Sequence, residues 1–279
     1  MAYRLCAFAD EADKQLDGQI AALNRNKIDL LEIRGIDGEN ISELSIDKVK
    51  DTHRRLSDAG ISVWSIGSPT GKIELTDDFG THLDEFKRML DFAHILEAKH
   101  FRLFSFFDAQ NEIDEVIERL GKFCEAADGS GIMLCHENEK CICGDTAERC
   151  LKLLEALPQM KAIFDPANFI QVGVDTLEAW KLLHGKVEYL HIKDAHADGT
   201  VVPAGKGDGN LPYIVGEYLK QGGSVMTLEP HLKDFNGLGE LENDTTRSKV
   251  DTSEFNYPDN QTAFDAAAQA LRAILADIG

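Results

Sequence analysis

Short apolar runs of four to six residues alternate along the whole chain with longer stretches in which apolar positions recur at three- and four-residue steps. The first pattern is that of strands buried on both faces, the second that of helices laying one face on a sheet, and their strict alternation is the signature of βαβ units around a parallel sheet. Strands are predicted at about 3–8, 30–34, 62–66, 100–105, 133–137, 161–165, 188–192 and 224–229. Helices are predicted at about 14–26, 46–59, 81–96, 112–127, 146–157, 177–183, 211–220 and 262–277. In the third of these, Leu83, Phe86, Leu90, Ala93 and Leu96 form one apolar stripe that belongs to the core. Asp58-Ala-Gly60, Asp128-Gly-Ser-Gly131 and Gln221-Gly-Gly223 each precede a strand, where glycine supplies the left-handed conformation that closes a helix.

Eight such units predict a closed (β/α)8 TIM barrel, an α/β fold of about 250 residues as one unit, so residues 1–279 are expected to form a single domain. The turn after the first strand, Phe8-Ala-Asp-Glu-Ala-Asp13, lacks the Gly-x-Gly-x-x-Gly of a dinucleotide fold, which disfavours a nicotinamide cofactor. One long irregular segment, about 233–259, follows the eighth strand and reads as a lid over the barrel mouth.

Composition narrows the partners. No stretch approaches the roughly 20 apolar residues of a membrane span, and the first residues reach Asp10 and Glu11 too soon for a signal peptide, so a soluble, cytoplasmic protein is expected. A formal charge of −20 repels phosphodiester backbones and argues against nucleic acid. The six cysteines, four of them between Cys135 and Cys150, lack Cys-x-x-Cys pairs and read as reduced thiols, neither bridges nor a metal cluster.

The chemistry concentrates at four strand ends. Glu137, Asp165, His191 and Glu229 each end an apolar run and open a turn, at spacings close to one βα unit. In a parallel barrel those ends meet at one face, where active sites of this architecture lie. Three carboxylates brought together would repel and take up protons, whereas a divalent ion removes the penalty and fixes their geometry. Oxygen-rich ligation with one imidazole suits Mn2+ or Mg2+ first, with Co2+ and Zn2+ as alternatives. Each residue alone also reads as a helix cap or surface carboxylate; their convergence favours ligation.

With Leu-Leu-Glu32-Ile-Arg34, Leu-Cys-His-Glu137-Asn, Phe-Asp165-Pro-Ala-Asn168, His191-Ile-Lys193-Asp194, Gly205-Lys-Gly207-Asp-Gly209 and Leu-Glu229-Pro-His231, the chain resembles the sugar phosphate isomerase/epimerase family with its xylose-isomerase-like TIM barrel. The resemblance spans essentially the full length. It implies that Glu137, Asp165, His191 and Glu229 hold one ion that chelates two adjacent substrate oxygens. It further implies that the catalytic residues Glu137 and Glu229 flank the carbon chain, one removing the proton next to the carbonyl and the other returning it through a metal-stabilised enediolate. Many relatives carry a histidine where this chain has Asn168, which can hydrogen-bond a ligand or hydroxyl but cannot act as acid or base. Barrels of the family often dimerise, which makes a homodimer the assembly to test.

The substrate-binding candidates are Arg34, Lys72, Asn168, Lys193, Lys206 and His231, with Arg102 a further cation near the mouth. The cations suit a phosphate or carboxylate. Lys72 lacks the sequence of a nucleotide P-loop. Strand alternation turns His136 away from the Glu137 side and leaves it outside the site. The expected activity is therefore a metal-dependent isomerase or epimerase of a monosaccharide, sugar phosphate or related polyol ketone. Dehydration of an inosose-like substrate on the same site and a non-catalytic sugar-binding barrel are the alternatives. Phosphodiester hydrolysis would need more histidines and a basic groove.

Overall fold

The computed structural model describes residues 2–235 and 249–279. The central part of the expected lid, 236–248, lies outside the described residues.

Eight parallel strands close into a barrel: β1 (Arg4–Ala7), β2 (Leu30–Ile33), β3 (Ser62–Ile66), β4 (His100–Leu103), β5 (Met133–Glu137), β6 (Lys161–Phe164), β7 (Val187–Ile192) and β8 (Val225–Leu228). Each pairs with its sequence neighbours, and β1 closes the ring on β8 with Cys6 beside Thr227. Two register shifts interrupt the ladders, one between Leu31 and Glu32 against β3 and one between Ala162 and Ile163 against β7. Such bulges re-aim the side chains that follow them, and here those include Glu32 and the strand leading to Asp165.

The helices outside the ring are α1 (Leu16–Arg25), α2 (Ile46–Asp58), α3 (Phe79–Ile95), α4 (Ile113–Ala127), α5 (Ala147–Ala156), α6 (Pro166–Gln171), α7 (Thr176–Leu183), α8 (Leu211–Lys220) and α9 (Asn260–Ile278). Their starts follow side-chain chemistry: Ser45, Asp78, Asp175 and Asp259 accept the orphan amides of α2, α3, α7 and α9. On α3, Phe86, Leu90 and Ala93 are buried, with Leu96 following, while Leu83 is half-buried against the same core.

The predicted boundaries hold to within about two residues. The sequence pattern does not reveal α6, because its six residues complete less than two helical turns. Nor does it reveal two hairpins at the strand ends, Gly35–Ile36 with Glu39–Asn40 and Asp194–Ala195 with Val201–Val202. Inside the barrel, Cys6, Leu30, Cys135, Ile163, Tyr189 and Val225 form an apolar floor closed by Trp64 and Met133. Among the described residues no helix is long and apolar enough to cross a membrane.

Candidate metal centre

Parallel strands put all eight C-terminal ends at one face, and the alternation of side chains decides which residues point inward there. Tyr189 in the floor and His191 above it show the two-residue step on β7, as Ile163 and Asp165 do on β6. Glu137, Asp165, His191 and Glu229 are all buried, and each offers a ligand atom within 4.8 Å of the others. His191 Nδ1 lies 2.9 Å from Glu137 Oε1 and 3.0 Å from Glu229 Oε2. Asp165 divides its carboxylate: Oδ1 accepts the Asn168 amide at 3.0 Å as the N-cap of α6, with Pro166 in the first turn, and Oδ2 turns to the cluster. The oxygen that caps α6 and the oxygen that faces the cluster are thus different atoms of one side chain.

Beneath the cluster lies a carboxylate that the strand-end pattern does not single out. Glu32 is fully buried and accepts hydrogen bonds from Tyr189 Oη at 2.8 Å and Thr227 Oγ1 at 2.9 Å, while His191 Nε2 lies 3.1 Å away. Both ring nitrogens thus face carboxylates; if Nδ1 gives up its proton to a cation while Nε2 keeps its hydrogen on Glu32, the ring is held in the tautomer that metal-binding histidines use. Burial opposes charge on the imidazole, but Glu137, Glu32 and Glu229 outweigh it and raise the His191 pKa well above its ordinary value.

A ring of cations surrounds these acids. Arg34 reaches Asp10 at 2.8 Å, Glu229 Oε1 at 3.0 Å and Glu11 at 3.2 Å, with its guanidinium over the Phe8 and Phe235 rings. Arg102 donates to Glu137 Oε2 at 3.1 Å and to the Gly67 carbonyl at 3.1 Å. Lys193 Nζ lies 3.0 Å from Asp165 Oδ2 and 3.7 Å from Glu229 Oε2. Burial raises the Asp165 pKa to about 6 although Lys193 opposes it. Burial also works against charge on Glu229, yet Lys193 and His191 hold it well below the usual carboxylate range.

The structure brings Arg34, Lys193 and His231 into direct contact with the cluster, His231 Nε2 lying 3.6 Å from Glu229 and 3.5 Å from Glu11. Lys72 stands one residue further out, 3.3 Å from Glu139 and over the Phe104 ring. Asn168 works through its neighbours: it donates to the Asn138 carbonyl, while the Asn138 side chain binds both backbone groups of Asp165 at 2.9 Å. Lys206 is not brought to the cluster. It is exposed, in a loop whose Gly205, Gly207 and Gly209 amides all donate to the Asp194 carboxylate. A Cβ at Gly207 would stand 2.4 Å from the Ala195 carbonyl oxygen, which explains the repeated glycine. His136 points out of the barrel to Ser105 Oγ at 3.0 Å, and burial pushes its pKa down to about 4.

Sequence reasoning missed Asp10, Glu11, Glu32, Asn138, Tyr189 and Thr227. For Glu32 a signal exists, a charged residue inside the apolar run Leu-Leu-Glu-Ile, since a charge there must find a buried partner.

The donor set fits a divalent cation. Three carboxylates and one imidazole converge within about twice a metal–oxygen bond of 2.1–2.4 Å. Asp165 Oδ2 and Glu229 Oε2 are buried without a well-aligned hydrogen bond, even though Lys193 and His191 nitrogens are close to them. Comparison with known proteins agrees with the fold. A structure of IOLI protein with a bound zinc atom superposes with a TM-score of 0.76 at 17% identity, covering 99% of both chains. The probable 3-DHS dehydratase AsbF, involved in petrobactin synthesis in Bacillus anthracis, gives 0.70 at 17% identity, covering 98% of this chain and 99% of that one. D-psicose 3-epimerase from Clostridium cellulolyticum H10, solved with D-tagatose, gives 0.71 at 14% identity, covering 98% of each. Among curated proteins none matches the sequence. Residues 20–249 match the family described as xylose isomerase-like TIM barrel, and it is to this family that the chain belongs.

Proposed function

We propose that this protein is a divalent-metal-dependent isomerase or epimerase of a monosaccharide or related polyol ketone, with Glu137 and Glu229 as its two proton carriers. One observation carries the reading. Each glutamate has one oxygen beside His191 Nδ1, in the ligand cluster, and the other held by an arginine, Arg102 for Glu137 and Arg34 for Glu229. The site therefore presents two carboxylates anchored by different arginines, the pair that removal of a proton from a carbon and return of another require. Glu137, Asp165, His191 and Glu229 would hold the ion, which when bound supplies Lewis acidity at a carbonyl oxygen.

The chain's own residues do the rest. One glutamate takes the proton from the carbon next to the carbonyl, and the electron pair moves onto the carbonyl oxygen. The second glutamate gives a proton back, to the same carbon for epimerisation or to the neighbouring carbon for isomerisation. Arg34 and Arg102 fix the carboxylate planes, and Lys193 and His231 contact Glu229 from two further directions. Because the proton returned is not the one removed, each glutamate exchanges with solvent between turnovers, and solvent hydrogen enters the product.

A second reading, dehydration, shares the first proton transfer and then loses a hydroxyl from the next carbon. The likeness to a protein described as a probable 3-DHS dehydratase favours keeping it. The two separate by mass: incubation of candidate ketoses and inososes with the Mn2+-loaded protein in D2O gives deuterium at the α-carbon with the skeleton intact if the protein is an isomerase or epimerase. Loss of water assigns it to the lyases. Absence of both from the full panel, with metal bound, defeats the proposal.

A further inference from the structure

We infer that this site accepts an uncharged polyhydroxy ketone and rejects phosphorylated or carboxylated analogues. The inference rests on the reading of the centre given above and narrows its substrate.

Each cation at the mouth is paired with the protein's own acids. Arg34 is shared among Asp10, Glu11 and Glu229, Arg102 pairs with Glu137, Lys193 with Asp165, and Lys72 with Glu139. Glu32 adds a seventh carboxylate beneath His191. Lys140 lies 3.9 Å from Glu139 as a fifth cation, so seven carboxylates against five cations leave two negative charges, which a divalent ion balances. Arg34, Arg102, Lys72 and Lys193 each have side chains no more than 4% exposed. A phosphate, bringing a charge of about −1.5 to −2, would have to draw a cation from a buried carboxylate and leave that carboxylate uncompensated.

A second observation is independent of this balance. Successive backbone amides in a glycine-rich turn are a common phosphate cradle, and this chain has such a turn at Gly205, Gly207 and Gly209. Its amides already bind Asp194, at 2.8, 3.1 and 2.9 Å. The cradle is filled by an internal anion.

What the site does offer suits hydroxyl groups. Both ring nitrogens of buried His231 and the Nε of buried Arg102 are without a hydrogen-bond partner, and both side chains flank the glutamates. A hydroxyl can accept from the Arg102 Nε hydrogen and donate to an imidazole nitrogen.

The test has two arms on the Mn2+-loaded protein. In the first, α-proton exchange in D2O is followed by NMR for D-fructose and an inosose beside ketohexose 6-phosphates. Exchange at least about tenfold faster with the uncharged compounds supports the inference, whereas comparable or faster exchange with the phosphates overturns it and leaves the proposed function standing. If no compound exchanges, the proposed function falls, and the second arm decides the charge inference alone. In that arm inorganic phosphate is titrated calorimetrically: a Kd weaker than about 1 mM supports rejection of anions, and a tighter one overturns it.

Discussion

The two ends of the barrel interior are built from the same strands and could hardly differ more. At the floor, Cys6, Leu30, Cys135, Ile163, Tyr189 and Val225 meet as an apolar plug. Two to four residues further along the same strands, Glu137, Asp165, His191 and Glu229 meet as a charged cluster compensated by a ring of cations. The floor needs only volume and apolar surface, so its contribution is stability. The mouth needs particular atoms at particular separations, so its contribution is chemistry. Glu32, with Tyr189 Oη at 2.8 Å and His191 Nε2 at 3.1 Å, is where the two regions touch.

That contrast breaks most visibly at the mouth. Glu229→Gln keeps the shape and removes the base, so turnover should fall by roughly 10²–10⁴-fold while bound metal decreases. Turnover at wild-type rate, measured with the metal content, would remove Glu229 from its role. At the floor, Ile163→Ala should lower unfolding free energy by about 2–4 kcal/mol through the cavity it leaves, with metal affinity in the folded protein unchanged. A matching loss of metal affinity in calorimetry would show that the two ends are not separable.

The junction tests the contrast more finely. Glu32→Gln should weaken divalent metal binding by about 10–100-fold through the His191 tautomer. Tyr189→Phe removes a hydrogen bond to the same carboxylate without touching His191, and should move metal affinity far less. Equal effects would assign Glu32 to packing.

A smaller effect lies outside the barrel interior and serves as its control. His82 Nε2 accepts the Gly71 amide at 2.8 Å, in the turn that carries Lys72. Burial depresses its pKa, with Glu85 opposing. A depressed histidine makes the unfolded chain the better proton acceptor, so this contribution is complete above the ordinary histidine pKa of about 6.5 and is lost as pH falls below it. Thermal melts between pH 7.5 and about 5 should show a destabilisation to which His136 also contributes and which His82→Gln reduces. An unchanged slope in the variant would place the acid sensitivity elsewhere.

The legible part of this molecule is local. The two-residue period of Val-Glu-Tyr-Leu-His191 and the helical stripe of Phe86, Leu90 and Ala93 are written in neighbouring positions, and the register follows from burying them. Asp165 is half legible: the Asp-Pro pair marks a helix start, but only the fold shows its second oxygen turned to Glu137, His191 and Glu229. Lys206 shows the converse. Its place between glycines suggests an anion site, yet those amides serve Asp194 and the lysine stands in solvent.

By itself, then, the sequence determined the alternating elements, the parallel barrel and the four residues at its strand ends, because period and spacing are properties of consecutive positions. Tertiary structure alone decided that Arg34 would bind Glu229 across 195 positions and that Glu32 would sit under His191 across 159. Those pairings depend on closing the ring and on two register shifts, and no local pattern encodes the angle at which strands far apart in the chain face one another across a barrel.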